Sequence, residues 1–198
     1  MMATELRDPH LTFDPEGHAY RLDGRAILSV TQVLDLAGLS GGPWPEGSAA
    51  RGTAVHLATE YDDIGDLDEL SVDPAIAGYL DGWRRFVLES RYVGRLIEHR
   101  AYHPTYLYAG TIDREGYIDG SKHVLIDIKS GVEQPSHAIQ LAAYAFLLDG
   151  PHRYERLAVH LRPDGSYRAR TFDRMKLAGD FALFVSALNV ARWKQENI

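Results

Sequence analysis

The sequence has no cysteine among its 198 residues. This absence excludes disulfides, thiolate zinc sites and iron–sulfur clusters, because each of them is built from thiol groups. It also favours a cytoplasmic protein, because disulfide-bonded chains are typical of oxidising compartments.

Long apolar segments and an excess of basic residues are missing as well. No apolar run approaches the roughly 20 residues that a membrane-spanning helix needs, and the start MMATELRDPHLTFD lacks the apolar core of a signal peptide. We therefore expect no membrane partner. The formal net charge of −7 counts against a broadly basic nucleic-acid-binding surface, although bound divalent cations and a local basic strip can offset acids around a site.

The hydrophobic pattern predicts one mixed α/β domain over residues 1–198. Residues 10–30 predict a small β-meander with a turn at Asp23-Gly24. Further strands are expected at 93–103, 106–118, 122–129, 156–162 and 166–172. Helices are expected from Ser29 to Gly38, and at 48–61, 73–90, 136–148 and 173–194. The run DDIGDLDEL (62–70) is expected to form an acidic surface loop.

Two aspartates interrupt segments that otherwise predict β-strands. The stretch GTIDREGYIDGSKHVLIDIKSG (110–131) contains Asp113 and Asp127 among apolar and β-branched residues. Aspartate is depleted in strands because its short polar side chain packs poorly on a pleated surface. Alternate residues of a strand share a face, so Asp127 and Lys129 point the same way. The other face carries an apolar strip that suits packing under a helix, leaving the Asp–Lys face open: Val124, Ile126 and Ile128.

A hairpin whose loop is Asp119-Gly120-Ser121 would place Asp113 opposite Asp127. Like charges about 5 Å apart across a strand pair are destabilising unless a cation lies between them. Two carboxylates with water suit Mg²⁺, and Lys129 can then orient or deprotonate an attacking water, or neutralise charge on a phosphate. Since a single aspartate in a hairpin is more often a surface residue, this prediction depends on the combination of GTID with IDIK.

That combination resembles the PD-(D/E)XK nucleases, and within them the RecB-like and phage-type exonuclease branch. GTID (110–113) resembles their first acidic motif, and IDIKSG (126–131) resembles their D-x-K motif. Glu98 resembles the acid of the preceding strand. Three more segments resemble the upstream histidine helix, the glutamine–tyrosine helix and the S-x-T segment of this branch: RGTAVH (51–56), QLAAY (140–144) and LSVTQVL (28–34).

The resemblance implies a restriction-endonuclease-like fold, with a mixed central sheet flanked by helices and the small β-meander at the N-terminus. It implies hydrolysis of DNA phosphodiesters with Mg²⁺ or Mn²⁺. The implied metal ligands are Asp113, Asp127, the Ile128 carbonyl and His56, with Glu98 as an accessory acid. Lys129 is the implied catalytic base or water-positioning group, and the residues implied to orient it or the DNA end are Gln140 and Tyr144.

Contacts to DNA are predicted for four residues outside this set: Ser29, Thr31, Arg51 and Trp44. A loop tryptophan such as Trp44 can stack on an unpaired base, but it can also anchor a loop against the core. The resemblance places the protein in phage or bacterial recombination or repair. It leaves open a recombination or annealing protein as a partner, and a homo-oligomer.

Two other functions stay open on the sequence. The first is a module that kept the fold without catalysis and binds DNA or protein, although the Asp–Asp–Lys set is intact. The second is a metal-dependent phosphoesterase acting on small nucleotides, which the acidic net charge would suit. On spacing alone, Gln140 and Tyr144 are equally consistent with a solvent-facing glutamine and a half-buried tyrosine.

Overall fold

The computed structural model describes residues 10–41 and 46–198, which form eight strands and five α-helices. The strands are β1 (Leu11–Asp14), β2 (Ala19–Leu22), β3 (Arg25–Ser29), β4 (Val93–Tyr102), β5 (Tyr108–Ile118), β6 (Lys122–Lys129), β7 (Glu155–Leu161) and β8 (Tyr167–Phe172). The helices are α1 (Val30–Ala37), α2 (Ser48–Ile64), α3 (Pro74–Ser90), α4 (Ser136–Ala145) and α5 (Leu177–Asn197). No helix in these ranges is long and apolar enough to cross a membrane.

The strands form one mixed sheet in the order β1-β2-β3-β5-β6-β7-β8, and β4 pairs with β5. The β3–β5 and β6–β7 pairs are parallel, and the others are antiparallel. The predicted meander is therefore present, and β3 joins it to the main sheet. At its β2–β3 turn, Asp23 and Gly24 both have positive φ, 49° and 78°, as a two-residue type I′ turn requires.

Helix boundaries agree with the expected caps in two cases, and the bounds of α2, α4 and α5 differ from the predicted ones by three or four residues. Ser29 caps α1 through the backbone N–H of Gln32, and Asp73 caps α3. Helix α2 runs on to Ile64, so the expected acidic loop begins later than predicted. Helix α4 stops at Ala145, short of the predicted end at 148.

Part of the acidic run is structural rather than solvated. The carboxylate of Asp62 pairs with Arg84, and Asp63 accepts hydrogen bonds from Trp83 at 2.9 Å and Arg114 at 2.6 Å. The prediction of a plain surface loop is wrong for these two residues. Their partners on α3 and β5 hold the last turn of α2 against the sheet.

Helices cover both faces of the sheet, so the core has two halves. Helices α2 and α3 pack on the face that carries the apolar strip of β6, while α1, α4 and α5 pack on the face that carries Leu125. The strip therefore packs under helices as expected. The open Asp–Lys face was a wrong prediction, because α4 lies over it and Asp127 is only 1% exposed.

The β5–β6 hairpin has the predicted register, and beyond Arg114–Ile126 its two strands no longer pair. We call this opening between the strands the fork. Ile118 pairs with Lys122, and the ladder continues to Arg114 opposite Ile126, where the described pairing ends. Strand β4 pairs with both Ala109 and Arg114, so it occupies the other edge of β5. On the β6 edge, β3 pairs with residues 108 and 109. Residues 110–113 thus have no described strand partner on that edge, and Asp113 lies where β3 and β6 separate.

Candidate active site

The fork opens into a cavity of about 1400 Å³. Nearly all the residues that the sequence singled out line this one cavity, although they come from widely separated parts of the chain. Trp44 lies outside the described residues. The others are Ser29, Thr31, Arg51, His56, Glu98, Asp113, Asp127, Ile128, Lys129, Gln140 and Tyr144.

The side chain of Asp113 connects β5 to β6 at the fork, where the backbone hydrogen bonds between the two strands have ended. Its Oδ2 accepts a hydrogen bond of 2.6 Å from the backbone N–H of Ile128 on β6, where the regular ladder has ended. Its own backbone carbonyl accepts a bond of 2.7 Å from the Arg114 side chain. A carboxylate placed among strand residues therefore joins β5 to β6 where the strands have parted.

His56, Glu98 and Asp113 form a compact group that could hold a metal ion. One ligand atom from each of the three lies within 4.8 Å of the others. Nδ1 of His56 is 3.4 Å from a Glu98 oxygen and 3.7 Å from Asp113 Oδ2, and its Nε2 donates to the Ile128 carbonyl at 3.1 Å. Glu98 has a φ of +47°, an uncommon backbone conformation for a non-glycine residue. Two carboxylates, a carbonyl and an imidazole make a donor set that fits a divalent cation.

The electrostatics of this group favour a positive charge at its centre. Burial lowers the pKa of His56, but the negative charges of Asp113 and Glu98 outweigh it and raise the pKa to about 9. Burial raises the pKa of Asp113 to about 7, against the opposing effect of His56 and with a reinforcing one from Asp127. At neutral pH an imidazolium therefore lies beside the carboxylates. The site accommodates one cation there, either the imidazolium or a metal.

Asp127 lies outside that group of three and takes part in a second cluster with residues of β6 and α4. Its Oδ2 is 2.9 Å from the Lys129 ammonium, and its Oδ1 accepts a 3.1 Å bond from the Gln140 amide. The Gln140 carbonyl oxygen accepts from Lys129 at 3.1 Å, and its amide also donates to the Tyr144 hydroxyl at 3.1 Å. The glutamine is 6% exposed, so the solvent-facing alternative for it is wrong.

Arg114 is a site-supporting residue that the sequence reasoning missed. Its side chain is fully buried and donates to Asp63, to Glu98 at 3.0 Å and to Thr59 at 3.1 Å, besides the Asp113 carbonyl. The guanidinium also lies over the ring of Trp83. These bonds hold Glu98 in place beside His56. The sequence did contain a signal for this role. The predicted register sets Arg114 opposite Ile126 on the apolar face of the hairpin, where an unpaired charge is costly, so a buried partner for Arg114 was to be expected.

Two glycines of the motifs have different explanations. A Cβ at Gly110 would lie 2.7 Å from a ring carbon of Tyr144, so the absence of a side chain lets α4 approach β5. At Gly52 a Cβ would meet only the Ser130 hydroxyl, at 3.9 Å. A close approach to another backbone would explain a glycine inside a helix, but none of the described residues comes that close to Gly52. Gly52 instead lines the open cavity.

The residues predicted to contact DNA have mixed environments. Ser29 is buried as the N-cap of α1 and bonds to Thr31 at 3.1 Å. Arg51 lies over the ring of Tyr79 at 5.9 Å, and its buried Nε has no hydrogen-bond partner among the described residues. The basic side chains of the cavity wall are Arg51, Arg100, Lys129, Arg162 and Arg168.

Acids of the DDIGDLDEL run do not line the cavity. The cavity nonetheless has acids of its own besides those at the fork. Asp35, Glu60 and Glu133 belong to its wall, so the wall is of mixed charge rather than purely basic.

No model of a known protein family matches the sequence, and no curated protein sequence matches it either. Solved structures do match. A protein from Eubacterium rectale that is provisionally designated an exonuclease has a TM-score of 0.52 at 12% identity, over 84% of this chain and 81% of that one. The alkaline exonuclease of Laribacter hongkongensis, also solved in complex with dAMP, has a TM-score of 0.40 at 14% identity, over 86% of this chain and 92% of that one. The chain shares the fold of the Eubacterium rectale protein, and this agrees with the PD-(D/E)XK-like fold that its motifs predicted.

Proposed function

We propose that the protein is a divalent-metal-dependent DNA nuclease that hydrolyses phosphodiester bonds, with an exonuclease mode of action. The observation that carries the proposal is the convergence of motif residues from α2, β4, β5, β6 and α4 on one cavity of a nuclease fold. The exonuclease mode follows the resemblance of the motifs to the RecB-like and phage-type branch.

The metal would be held by His56, Glu98 and Asp113, with Asp127 and the Ile128 carbonyl beside them. All five line the cavity, and the first three already bring their ligand atoms together. When bound, a divalent cation supplies Lewis-acid chemistry at a phosphoryl oxygen and can lower the pKa of a water molecule. Mg²⁺ and Mn²⁺ suit the carboxylate and carbonyl oxygens, and the imidazole is better matched to Mn²⁺.

Lys129 is the proposed catalytic residue. An ammonium has three N–H donors, and Lys129 donates one of them to Gln140 at 3.1 Å while it forms an ion pair with Asp127 Oδ2 at 2.9 Å. Its remaining N–H groups can donate to a water molecule or a phosphate oxygen in the cavity. A fixed ammonium stabilises charge that develops on the phosphate during the reaction, because its orientation needs no rearrangement in the transition state.

Gln140 is the proposed positioning residue of this centre. Its single amide contacts Asp127, Lys129 and Tyr144 together, so it fixes the distance between the carboxylate and the ammonium. Burial raises the pKa of Tyr144 well above its ordinary value, with a smaller effect of the same sign from Asp127. The neutral hydroxyl therefore remains a stable partner of the amide.

Cleavage assays on defined DNA test the proposal. Linear and circular DNA, single- and double-stranded, are incubated with Mg²⁺, Mn²⁺ or EDTA, using the wild type, Asp113→Asn and the exposed control Asp66→Asn. We expect degradation of linear DNA with either metal, none in EDTA, none with Asp113→Asn and full activity with Asp66→Asn. Hydrolysis of mononucleotides without cleavage of polymers would contradict the proposal and favour a small-nucleotide phosphoesterase. Equal activity of the two variants would remove Asp113 from the site.

A further inference from the structure

A row of basic side chains crosses three neighbouring strands beside the proposed centre. Lys129 on β6 pairs with His160 on β7, and His160 pairs with Arg168 on β8. Directly opposed residues of neighbouring strands share a face, so the three side chains lie side by side. All three line the cavity. The row extends outward from the lysine for two strand spacings, about 10 Å in all.

His160 has a free ring nitrogen in this row. The residue is 5% exposed, and its Nδ1 lies 3.2 Å from the Gly131 carbonyl, which can only accept. Nδ1 therefore carries the hydrogen. The buried Nε2 has no hydrogen-bond partner among the described residues, although buried polar atoms are normally paired. An unpaired nitrogen on the wall of a cavity points to a ligand contact.

His137 on α4 packs beside His160 and completes the wall. The two ring centroids are 5.3 Å apart, and the backbone N–H of Gln134 donates to Nδ1 of His137 at 3.4 Å. The ring hydrogen of His137 is thus on Nε2, so the His137 side chain can donate a hydrogen bond from that nitrogen. Burial, followed by the charge of Lys129, lowers the pKa of His137 to about 4, so His137 stays neutral at neutral pH.

The outer end of the row is the guanidinium of Arg168. Glu133 forms an ion pair with Arg168 at 3.2 Å and accepts a hydrogen bond from Arg170 at 3.1 Å, so both guanidinium groups lie beside one carboxylate. Arg168 lines the cavity, whereas Arg170 stands on the same strand face outside it. A guanidinium has five N–H donors, and Arg168 keeps most of them for a ligand.

We propose that the outer part of the row, formed by His160 and Arg168, is a subsite for a backbone phosphate of the nucleic-acid strand beyond the phosphate that reacts beside Lys129. A phosphate here meets the arginine directly, and a bridging water molecule can donate one hydrogen to Nε2 of His160 and the other to a phosphate oxygen. The inference rests on the proposed nuclease function and deepens it. A subsite for a second phosphate selects a polynucleotide over a mononucleotide, which has none to place there.

Single uncharged linkages in the substrate test the subsite. The row is about 10 Å long, so a methylphosphonate is placed at the first, second or third phosphate on either side of the cleaved bond. Single-turnover cleavage is measured for the wild type, Arg168→Gln, His160→Gln and the matched control Arg170→Gln.

The expected result is a position-specific loss. At one position the uncharged linkage lowers wild-type kcat/KM about tenfold or more, the scale of one charge-assisted hydrogen bond. Arg168→Gln shows the same loss on unmodified DNA and no further loss at that position, whereas Arg170→Gln behaves as the wild type does. For Arg168→Gln, the slope of log Kd against log salt falls by about 0.7 to 0.9, as one lost phosphate contact predicts.

A failure of the phosphate subsite and a failure of the nuclease function give different results. If the wild type cleaves DNA but Arg168→Gln and Arg170→Gln behave alike at every modified position, the subsite is overturned and the nuclease function stands. If the wild type cleaves no DNA with any metal, the nuclease function fails. The fluorescence anisotropy of a labelled oligonucleotide then tests the row alone. Weaker oligonucleotide binding by Arg168→Gln than by Arg170→Gln supports the phosphate subsite, and equal binding by the two variants overturns it.

Discussion

Replacing Lys129 by alanine removes the ammonium that contacts both Asp127 and Gln140, and it leaves every proposed metal ligand in place. The chemical step should slow by the amount typical of one lost electrostatic donor, about 2.7–4 kcal/mol or roughly a hundred- to a thousand-fold. Metal affinity should be kept or rise, because a positive charge leaves the neighbourhood of the carboxylates.

The same change affects stability, because Asp127 is 1% exposed and loses its cationic partner. Removing one member of a fully buried ion pair costs about 3–5 kcal/mol. Here the lysine side chain is 22% exposed and Gln140 still donates to Asp127, so the scale of a lost hydrogen bond to a charged group, about 1–3 kcal/mol, is the better expectation. A bound divalent cation should reverse most of this loss, since it supplies the missing charge.

Three measurements separate these effects: calorimetric titration with Mn²⁺, thermal unfolding in EDTA and in Mn²⁺, and single-turnover cleavage at saturating metal. Lys122→Ala, at the exposed opposite end of β6, is the matched control and should behave as the wild type does in all three. Cleavage by Lys129→Ala at the wild-type rate would refute the catalytic role of the lysine. Lost Mn²⁺ binding would show instead that the lysine supports the metal ligands.

Three further changes have distinct expected outcomes. Asp127→Ala should lower Mn²⁺ affinity and abolish cleavage together in the calorimetric and single-turnover assays, and retained cleavage would exclude it as a ligand. Arg114→Met should lower the free energy of unfolding by about 3–5 kcal/mol in urea, because it leaves Asp63 and Glu98 without their buried cation. The folded pKa of His56, about 9, is above its ordinary 6.5, so its contribution to stability is complete below pH 6.5 and is lost as the pH rises through 9. In EDTA, the excess in Tm of the wild type over His56→Gln should therefore shrink between those pH values, and a constant excess would contradict the raised pKa.

Local alternation was enough to predict the hairpin that carries the proposed centre. The loop Asp119-Gly120-Ser121 was predicted because it would place Asp113 opposite Asp127, and the observed ladder from Ile118–Lys122 to Arg114–Ile126 has that register. The described pairing ends there, so Asp113 does not pair with Asp127 and instead accepts from the backbone N–H of Ile128. The strand period of two and the turn residues contain this information within about twenty residues of sequence. The roles of the aspartates stay predictions, since they depend on a metal and a substrate.

Non-local partners were beyond the reach of the sequence pattern. Asp63 looked like one acid of a solvated run, and only its bonds to Trp83 and to Arg114, 51 residues away, make it a half-buried structural group. The cover of α4 over Asp127 is of the same kind, because it depends on how the β6–α4–β7 crossover returns to the sheet. Periodicity shows which face of an element is apolar, but it does not show which polar groups will be paired beneath another element.

The end of the β5–β6 ladder beside Asp113 connects the fold to the proposed chemistry. Ile112 packs in the core under α1, α4 and α5, whereas Arg114 lies over Trp83 in the opposite core, so the strand alternation fails between them. The backbone groups released from the ladder are then bonded by side chains, since Asp113 accepts from the Ile128 N–H and His56 donates to the Ile128 carbonyl.

Side chains of the site also join β5 to β6, so an alanine variant can lose activity because it loses stability as well as because it loses a metal ligand. Variants of Asp113 separate these two effects. Asp113→Asn keeps an oxygen that can accept from the Ile128 N–H but removes the charge that a metal needs. Asp113→Ala removes both, which leaves a buried backbone N–H unpaired at a cost of about 1–3 kcal/mol. Both variants should be inactive with Mg²⁺ or Mn²⁺, but only the alanine variant should lose that much unfolding free energy in urea. If both variants lost the same stability, the Asp113 carboxylate would not be what joins β5 to β6 at the fork.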